Sequence, residues 1–229
     1  MSVSEMPEFG VIELRRYVLH PGMREQLIAL FDRHFIESQE ACGMVPVGHY
    51  RDLDDPQSFV WFRGFADMTR RRNALEAFYL RSAAWLDHRE EANTTMIDSD
   101  NVLLLRSARP TSGFDLRGLA RDDGAGTGGE QFVAASIRML DAPADEQLVS
   151  DFESRVLPAL RRHGERIAYF VTEDRPNDFP RLPVREGEWA FVVAGVCRSR
   201  EALEGWVRTM ASADAETLRL SPAPRSLLR

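Results

Sequence analysis

"IELRRYVLHPGMREQLIALF", residues 12–31, begins with alternating apolar and polar residues, which is typical of a strand with one buried face. The H-P-G at 20–22 predicts a turn, and the leucines and phenylalanines that follow recur at helical spacing. We therefore expect a strand at about 10–19 and a helix from about 22 to 43, where Gly43 supplies a stop signal.

The same pattern returns in the second half of the chain. The tripeptide A-L-E occurs at 74–76 and again at 202–204, each time on the second predicted helix of its half. Six further residues have an identical residue 121 positions later: Leu19, Glu25, Gln26, Leu27, Phe31 and Gly43 match Leu140, Glu146, Gln147, Leu148, Phe152 and Gly164. These matches indicate an internal duplication. One difference is Pro158, which is expected to kink the first helix of the second copy.

Each half predicts the order β-α-β-β-α-β, which is the ferredoxin-like unit. Further strands are expected near 46–53, 58–66, 101–106, 131–140, 166–174, 188–196 and within 215–220, and further helices from about 67, at 143–164 and at 199–211. The predicted fold class is α+β, with two tandem ferredoxin-like units packed sheet to sheet as an intrachain dimeric α/β barrel. We divide the chain into a first unit (1–106), a linker (107–130) and a second unit (131–229).

The segment 107–130 is rich in Gly, Arg and Asp and has little periodicity. That composition predicts a linker or an excursion over the surface. Its "GAGTGG" at 124–129 superficially resembles a phosphate-binding loop, but it lacks the lysine and does not join a strand to a helix.

Composition limits the classes of partner. The 229 residues carry a net charge of −7, and the only basic run, at 70–72, is interpreted as a solvated helix face. Nucleic acid is therefore not an expected partner. No basic and apolar leader opens the sequence, and no apolar run approaches about 20 residues, so we expect neither secretion nor a membrane span. Cys42 and Cys197 lack metal-ligand spacing and indicate free thiols in a cytoplasmic protein.

The alternation along the strands divides the side chains into two sets. In the first strand Ile12, Leu14 and Val18 are expected to lie under the helices. The opposite set comprises Glu13, Arg15 and Tyr17, joined by Trp61, Arg63 and Phe65 from "FVWFRGF" at 59–65. The second unit offers smaller residues by the same reasoning: Ala134, Ser136, Arg138, Ala190, Val192 and Ala194. Large polar groups facing small ones predict a ligand pocket inside the barrel, formed chiefly by the first unit.

These residues resemble a known family. "IELRRYVLHPGMREQLIALF" is similar to the opening of NIPSNAP proteins, with the form Y-E-L-R-x-Y-x-L-x-P-G, and "VGHYRDLDDPQSFVWFRGFADM" at 47–68 resembles their second hairpin. The resemblance covers 11–106 and implies the dimeric α/β-barrel superfamily. That superfamily includes cofactor-independent oxygenases, isomerases, cyclases, dehydratases and haem-handling enzymes, so the resemblance implies architecture more than activity.

Three residues are candidates for catalysis. His34 shares a helix face with Glu37 and could act as a general acid or base, or be a half-buried helix residue. His49 could point into the barrel towards Arg63 or Glu13, or lie at a strand edge in water. Arg63 could bind an anionic oxygen of a ligand, or form an internal ion pair with Glu13.

Eight residues are candidate ligand contacts: Glu13, Arg15, Tyr17, Trp61, Phe65, Tyr79, Trp85 and His88. No metal site is expected, because none of the five histidines shows paired ligand spacing. Catalysis is expected to need no bound cofactor, although the pattern leaves open a haem ligand among His34, His49 and His88.

Two functions remain in competition. One is a small enzyme acting on a fairly apolar, oxygenated substrate, in which Arg63 stabilises an enolate-like charge and a histidine moves the proton. The other is a non-catalytic module that binds a metabolite in the same cavity or a protein partner on its outer helices. Leu75, Phe78, Tyr79 and Trp85 form an apolar stripe that could serve a homodimer.

Overall fold

The computed structural model describes residues 9–121, 131–211 and 213–229. Its strands are β1 (Val11–Leu19), β2 (Val45–Asp52), β3 (Ser58–Phe65), β4 (Met96–Ser107), β5 (Phe132–Leu140), β6 (Glu165–Thr172), β7 (Trp189–Cys197) and β8 (Glu216–Pro222). Its helices are α1 (Arg24–Leu30), α2 (Ile36–Ala41), α3 (Met68–Arg81), α4 (Ala83–Thr94), α5 (Glu146–Asp151), α6 (Leu157–Leu160) and α7 (Arg200–Ala211). Both halves therefore follow the predicted order of elements.

The eight strands close into one antiparallel barrel in the order β1-β3-β2-β8-β5-β7-β6-β4. Each half forms a four-stranded sheet, and the two sheets are joined at both edges. β2 pairs with β8 through Arg51 and Ser221, and β4 pairs with β6 through Arg106 and Val171. Closure leaves no sheet edge of these strands unpaired. The predicted fold class is thus confirmed.

The first helix of each unit is interrupted by one π-helical turn. The turns are Phe31–Phe35, between α1 and α2, and Phe152–Val156, between α5 and α6. They lie at positions related by the 121-residue repeat, which supports the duplication. The first turn contains no proline, so Pro158 is not the cause of the interruption. Instead Pro158 lies at the start of α6, where a missing N–H is tolerated.

The barrel interior is filled by apolar side chains from both units. They include Ile12, Leu14, Val60, Phe62, Leu103, Leu105, Val133, Ala135, Phe170, Ala190, Val192 and Ala194. Phe114 and Leu116 also belong to this cluster. The prediction of a surface excursion is therefore wrong for these two residues, and the "GAGTGG" at 124–129 lies outside the described residues. An eight-stranded barrel is just wide enough for its own side chains to fill.

The predicted assignment of the strand faces was inverted for the first unit. Tyr17, Trp61 and Phe65 pack with residues of the helices, whereas Ile12 and Leu14 point into the barrel. Glu13, Arg15 and Arg63 share the helix side by alternation and register. In the second unit Ala134 also lies on the helix side, with Ser136 and Arg138 in the same phase, while Ala190, Val192 and Ala194 face the interior as expected. The predicted pocket inside the barrel is therefore replaced by a packed core.

Phe62 tests this assignment of faces. It is fully buried in the barrel interior, where its ring lies 5.2 Å from that of Phe114. Phe62→Ala should lower the free energy of unfolding by about 3–5 kcal/mol, because a cavity opens in a packed core. Urea unfolding measures this change. Met139→Ala, on an exposed side chain of β5, is the control and should change it by no more than about 0.5 kcal/mol. Similar losses in both variants would contradict the assignment.

Candidate functional site

Glu13 lies at the centre of a buried cluster of charges between the first sheet and α3. Its Oε2 accepts hydrogen bonds from Arg15 Nη1 at 2.8 Å and from Arg63 Nε at 2.6 Å. Its Oε1 accepts one from Arg71 Nε at 2.7 Å. All four side chains are at most 1% exposed. The expected ion pair between Arg63 and Glu13 is therefore present, with two further arginines around the same carboxylate.

These four side chains come from two neighbouring strands and one helix. Arg63 on β3 is the cross-strand partner of Glu13, and Arg15 lies two residues after Glu13 on the same side of β1. Arg71 comes from the first turns of α3, whose start is fixed by Asp67, since the Asp67 side chain accepts from the N–H of Arg70. The cluster thus ties β1, β3 and α3 together.

The cluster carries a surplus of positive charge. Arg71 Nη1 also donates to Asp178 Oδ1 at 2.7 Å, so three guanidiniums face two carboxylates. Burial alone would raise the pKa of Glu13, but the charges of Arg63, Arg15 and Arg71 outweigh it and hold that pKa well below its usual value of 4.5. Glu13 is therefore ionised at neutral pH, and one positive charge remains in excess.

Two tyrosine hydroxyls connect the cluster to a cavity. Arg15 Nε donates to the Tyr17 hydroxyl oxygen at 2.9 Å, and Arg63 Nη1 donates to that of Tyr79 at 3.2 Å. Because both oxygens accept from a cation, both hydroxyl hydrogens are left to donate to another acceptor. Tyr17 and Tyr79 belong to the cavity wall, whereas the two arginines lie behind it.

The cavity lies on the helix side of the first sheet, has a volume of about 400 Å³ and is partly open to solvent. Nine aromatic residues line it: Tyr17, Phe31, Phe35, Phe59, Trp61, Phe78, Tyr79, Trp85 and Phe179. Three exposed charged side chains, Arg89, Asp100 and Arg181, also border it. Its shape and lining are typical of a site for a small, largely apolar molecule.

A loop of the second unit completes the wall. The segment 173–188 between β6 and β7 crosses to the first unit, where Asn177 and Asp178 accept hydrogen bonds from Arg71. Phe179 then packs beside Tyr79, with their ring centroids 6.2 Å apart. The cavity is therefore built from both units.

Two buried polar atoms in the cavity wall have no hydrogen-bond partner. They are Nε1 of Trp61, whose side chain is 2% exposed, and Oε1 of Gln39, which is 1% exposed. Behind the wall, Nη2 of Arg63 and of Arg71 are also unpaired. Leaving such groups buried and unpaired costs about 1–3 kcal/mol each, so each calls for a partner.

His49 lies on the helix side and not in the barrel. A register shift in β2 between Pro46 and Gly48 directs Val47 into the interior and His49 to the opposite side. The His49 ring stacks on Phe31 at 4.8 Å, and its Nε2 lies 2.7 Å from Asp32 Oδ1. Burial lowers the pKa of His49, so the neutral ring donates from Nε2. The expected contact with Arg63 or Glu13 is replaced by the one with Asp32.

His34 and His88 form a stacked pair with centroids 3.8 Å apart. Burial and the neighbouring His88 lower the pKa of His34. Glu37, expected to steady His34, instead pairs with Arg225. His34, His49 and His88 do not belong to the cavity wall.

Four predicted ligand contacts, Tyr17, Trp61, Tyr79 and Trp85, do lie in the wall. Glu13, Arg15 and Arg63 lie behind it, and Phe65 lies under the cluster, with Arg63 Cζ 5.5 Å from its ring. The roles of all these residues remain predictions.

The sequence analysis does not identify several contributors to the site, among them Gln39, Arg71 and Phe179. The basic run at 70–72 predicts a solvated face for Arg71, yet this residue is fully buried. Its spacing from Met68, Leu75 and Phe78 places it on the buried face of α3, and that periodicity could have identified it.

The second unit shows the same fold without the cluster. The residues equivalent to Glu13, Arg15 and Arg63 are Ala134, Ser136 and Gly195. The indole of Trp206 fills that space, donating to Ser136 Oγ at 2.9 Å, and a Cβ on Gly195 would lie 2.8 Å from its ring. Since one unit folds around a tryptophan, the fold does not require the charges found in the other.

Among the described residues, no group of three or more His, Cys, Asp or Glu side chains is arranged to hold a metal ion. In the same part of the chain, no helix has the length and apolar character needed to cross a membrane.

Two ferredoxin-like units closed into one barrel, with the helices outside, define a single-chain dimeric α/β-barrel protein. The NIPSNAP family model matches residues 12–109, so the first unit contains a NIPSNAP domain and the resemblance is confirmed. We found no match to the sequence among curated proteins.

Solved structures share the whole architecture. A proposed monooxygenase from Lactobacillus acidophilus NCFM is 13% identical, and the match covers 97% of this chain and 99% of that one with a TM-score of 0.55. Another, from Fusobacterium nucleatum subsp. nucleatum ATCC 25586, is 9% identical over 98% of each chain, also with a TM-score of 0.55. A dye-decolorizing peroxidase from Bacteroides thetaiotaomicron VPI-5482 is 7% identical over 95% of this chain and 94% of that one, at 0.54. At such identities the likeness establishes the fold alone.

Glu13→Gln should destabilise the protein strongly. Removing the charge leaves three buried guanidiniums with one carboxylate, and breaking a buried ion pair from one side costs about 3–5 kcal/mol. Urea unfolding at neutral pH measures this loss. Glu25→Gln, which removes an exposed partner of Arg51, is the matched control and should cost at most about 1 kcal/mol. A loss for Glu13→Gln no larger than that of the control would contradict the role of the cluster.

The depressed pKa of His49 predicts a dependence of stability on pH. The unfolded chain takes up a proton near pH 6.5 while the folded protein does not, so the stabilisation is full above that pH and is lost as the pH falls towards the folded pKa. Unfolding free energies between about pH 8 and pH 5 measure this loss. His49→Phe should make the profile less steep, whereas His20→Gln, at an exposed histidine of the turn after β1, should leave it unchanged. Equal slopes in wild type and His49→Phe would count against a neutral, buried His49.

Proposed function

We propose that this protein binds a small, mostly apolar, oxygen-bearing molecule in the cavity between the first sheet and its helices. The observation that carries the proposal is the cavity of about 400 Å³ with an aromatic lining, whose wall includes two tyrosines held by the arginines behind it, Tyr17 and Tyr79. Two further atoms of wall residues, Trp61 Nε1 and Gln39 Oε1, are buried without a hydrogen-bond partner.

The size and lining of the cavity support this proposal. About 400 Å³ is within the range of small-molecule sites, which are mostly apolar with a few placed polar groups. The aromatic wall supplies contact area for a flat molecule, while Tyr17, Tyr79, Trp61 and Gln39 supply the polar groups.

Turnover of the bound molecule is the further part of the proposal. Two of the fold neighbours carry the name monooxygenase, and oxygenase, isomerase or cyclase chemistry without a cofactor would act on a molecule of this kind. The histidines do not border the cavity, so such chemistry would depend on stabilising a negative oxygen and not on a histidine base. A binding protein without turnover is the alternative.

The apolar stripe on α3 gives less support to a protein partner. Leu75 and Phe78 are buried in the core of the first unit, and it is Leu80 and Leu86 that are about 40% exposed. The homodimer and the cytoplasmic location remain predictions.

Tryptophan fluorescence with 2-naphthol as the probe tests the proposal, because Trp61 and Trp85 line the cavity. Binding should quench the fluorescence saturably. Leu27→Phe, which fills part of the cavity, should weaken binding about tenfold or more, corresponding to about 1.4 kcal/mol.

The duplication offers a matched control for this experiment. Leu148 occupies the position equivalent to Leu27 and lines a cleft of the second unit. Leu148→Phe adds the same volume there and should leave 2-naphthol binding unchanged. Thermal melting of both variants establishes that they fold. The absence of saturable quenching, or equal weakening by the two substitutions, would refute the proposal.

A further inference from the structure

We infer that the ligand of this cavity carries an ionisable hydroxyl group, as in a phenol or an enol, and that the site holds that oxygen as the anion. The inference rests on the proposed function and names the chemical class of its ligand. It stands on the direction of the wall's hydrogen-bond donors and on the charge behind them.

The first step concerns hydrogen-bond direction. Tyr17 and Tyr79 accept from guanidiniums, so each hydroxyl can present its hydrogen to the cavity. The indole N–H of Trp61 is a donor only, and it is unpaired. Two hydroxyl donors therefore belong to the cavity wall, and the Trp61 N–H lies buried within it. A ligand with an acceptor oxygen fits these donors.

The second step concerns charge. Arg15, Arg63 and Arg71 share two carboxylates, those of Glu13 and Asp178, which leaves one positive charge in excess beside the cavity. Uncompensated charge in a buried place is unfavourable unless an opposite charge comes near. An anionic oxygen in the cavity supplies that charge.

The third step concerns rigidity. Arg15 and Arg63 bind the same oxygen of Glu13, so one hydrogen-bonded chain runs from the Tyr17 hydroxyl through both guanidiniums to that of Tyr79. The Trp61 ring lies beside both guanidiniums, with their Cζ atoms 5.7 and 5.0 Å from its centroid. Donors held in advance of binding stabilise a localised negative charge most effectively.

The arrangement favours a single oxygen over a carboxylate. Carboxylates are best recognised by the paired N–H groups of a guanidinium. Here Arg15, Arg63 and Arg71 lie behind the wall, where each gives one N–H to Glu13. The donors that belong to the wall are the single hydroxyls of Tyr17 and Tyr79. Single donors suit one oxygen atom on an otherwise apolar ring.

In the described part of the second unit, the tyrosine donors, the excess positive charge and the hydrogen-bonded chain have no counterpart at the equivalent positions. Its equivalent cleft has Arg138 where the first has Tyr17, and Trp206 occupies the place of the charges. The five unpaired buried side-chain atoms found among the described residues all belong to the first unit. The site for the anion is therefore expected once per chain.

4-Nitrophenol tests the inference, because its ionised form is coloured and reports its own protonation state. Titration of the probe with pH, with and without saturating protein, should show the pKa of the bound phenol lowered by one unit or more. A shift of one unit means that the phenolate binds about tenfold more tightly than the phenol. The double variant Tyr17→Phe, Tyr79→Phe should abolish this shift in the 4-nitrophenol that it binds.

Tyr169→Phe is the matched control. Tyr169 lies in the second unit, and its hydroxyl donates to Glu153 at 2.6 Å, so its removal should leave the shift unchanged. Thermal melting of each variant separates unfolding from loss of donors.

The remaining outcomes show whether the inference about the anion fails alone or together with the proposed function. Suppose that 2-naphthol binds, but that 4-nitrophenol either does not bind or binds without a lowered pKa. The inference then fails and the proposed function stands. If 2-naphthoate binds more tightly than 2-naphthol, the site is one for carboxylates and the inference also fails. If none of the three probes binds, both the inference and the proposed function are refuted.

Discussion

The helix side of the first unit depends on one carboxylate, that of Glu13. Buried alone, either this group or the arginines around it would be strongly destabilising, and only their mutual hydrogen bonds make the arrangement stable. The contacts come from a neighbouring strand, from the same strand and from α3, so the charges fix how these elements meet. The Asp178 carboxylate extends the same network to the loop of the second unit. The cavity wall is held in place by this network.

Much of the fold could be predicted from the sequence, because alternation, helical spacing and the 121-residue repeat are local patterns. The pairing of Glu13 with Arg63 could also be predicted, since both belong to the same phase of neighbouring strands. The side of the sheet on which these two side chains lie could not be predicted. Both sides of these strands are buried in a closed barrel with outer helices, so alternation distinguishes two sets but does not say which one faces the helices. The sequence analysis assigned the charged side chains to a pocket inside the barrel, whereas they lie between the sheet and the helices.

The site itself could be predicted only in part, because its remaining members come from distant or irregular segments. Arg71 approaches from α3, and Phe179 comes from a loop that follows β6 of the other unit. The register shift beside Val47 changes the side to which His49 points, and regular spacing cannot reveal it. Four aromatic residues of the wall could be predicted, Tyr17, Trp61, Tyr79 and Trp85, because they lie on regular elements whose periodicity the sequence shows.

The loop that crosses from the second unit has a consequence for symmetry. Two identical subunits related by a twofold axis must build each pocket twice, and every residue must serve in both copies. Joining the halves in one polypeptide removes that obligation. Here the first unit has buried charged groups under its helices, whereas in the second unit the indole of Trp206 fills the equivalent space. The second unit also contributes the loop that completes the cavity wall of the first. Fusion has thus allowed a division of labour that a pair of equal chains could not adopt.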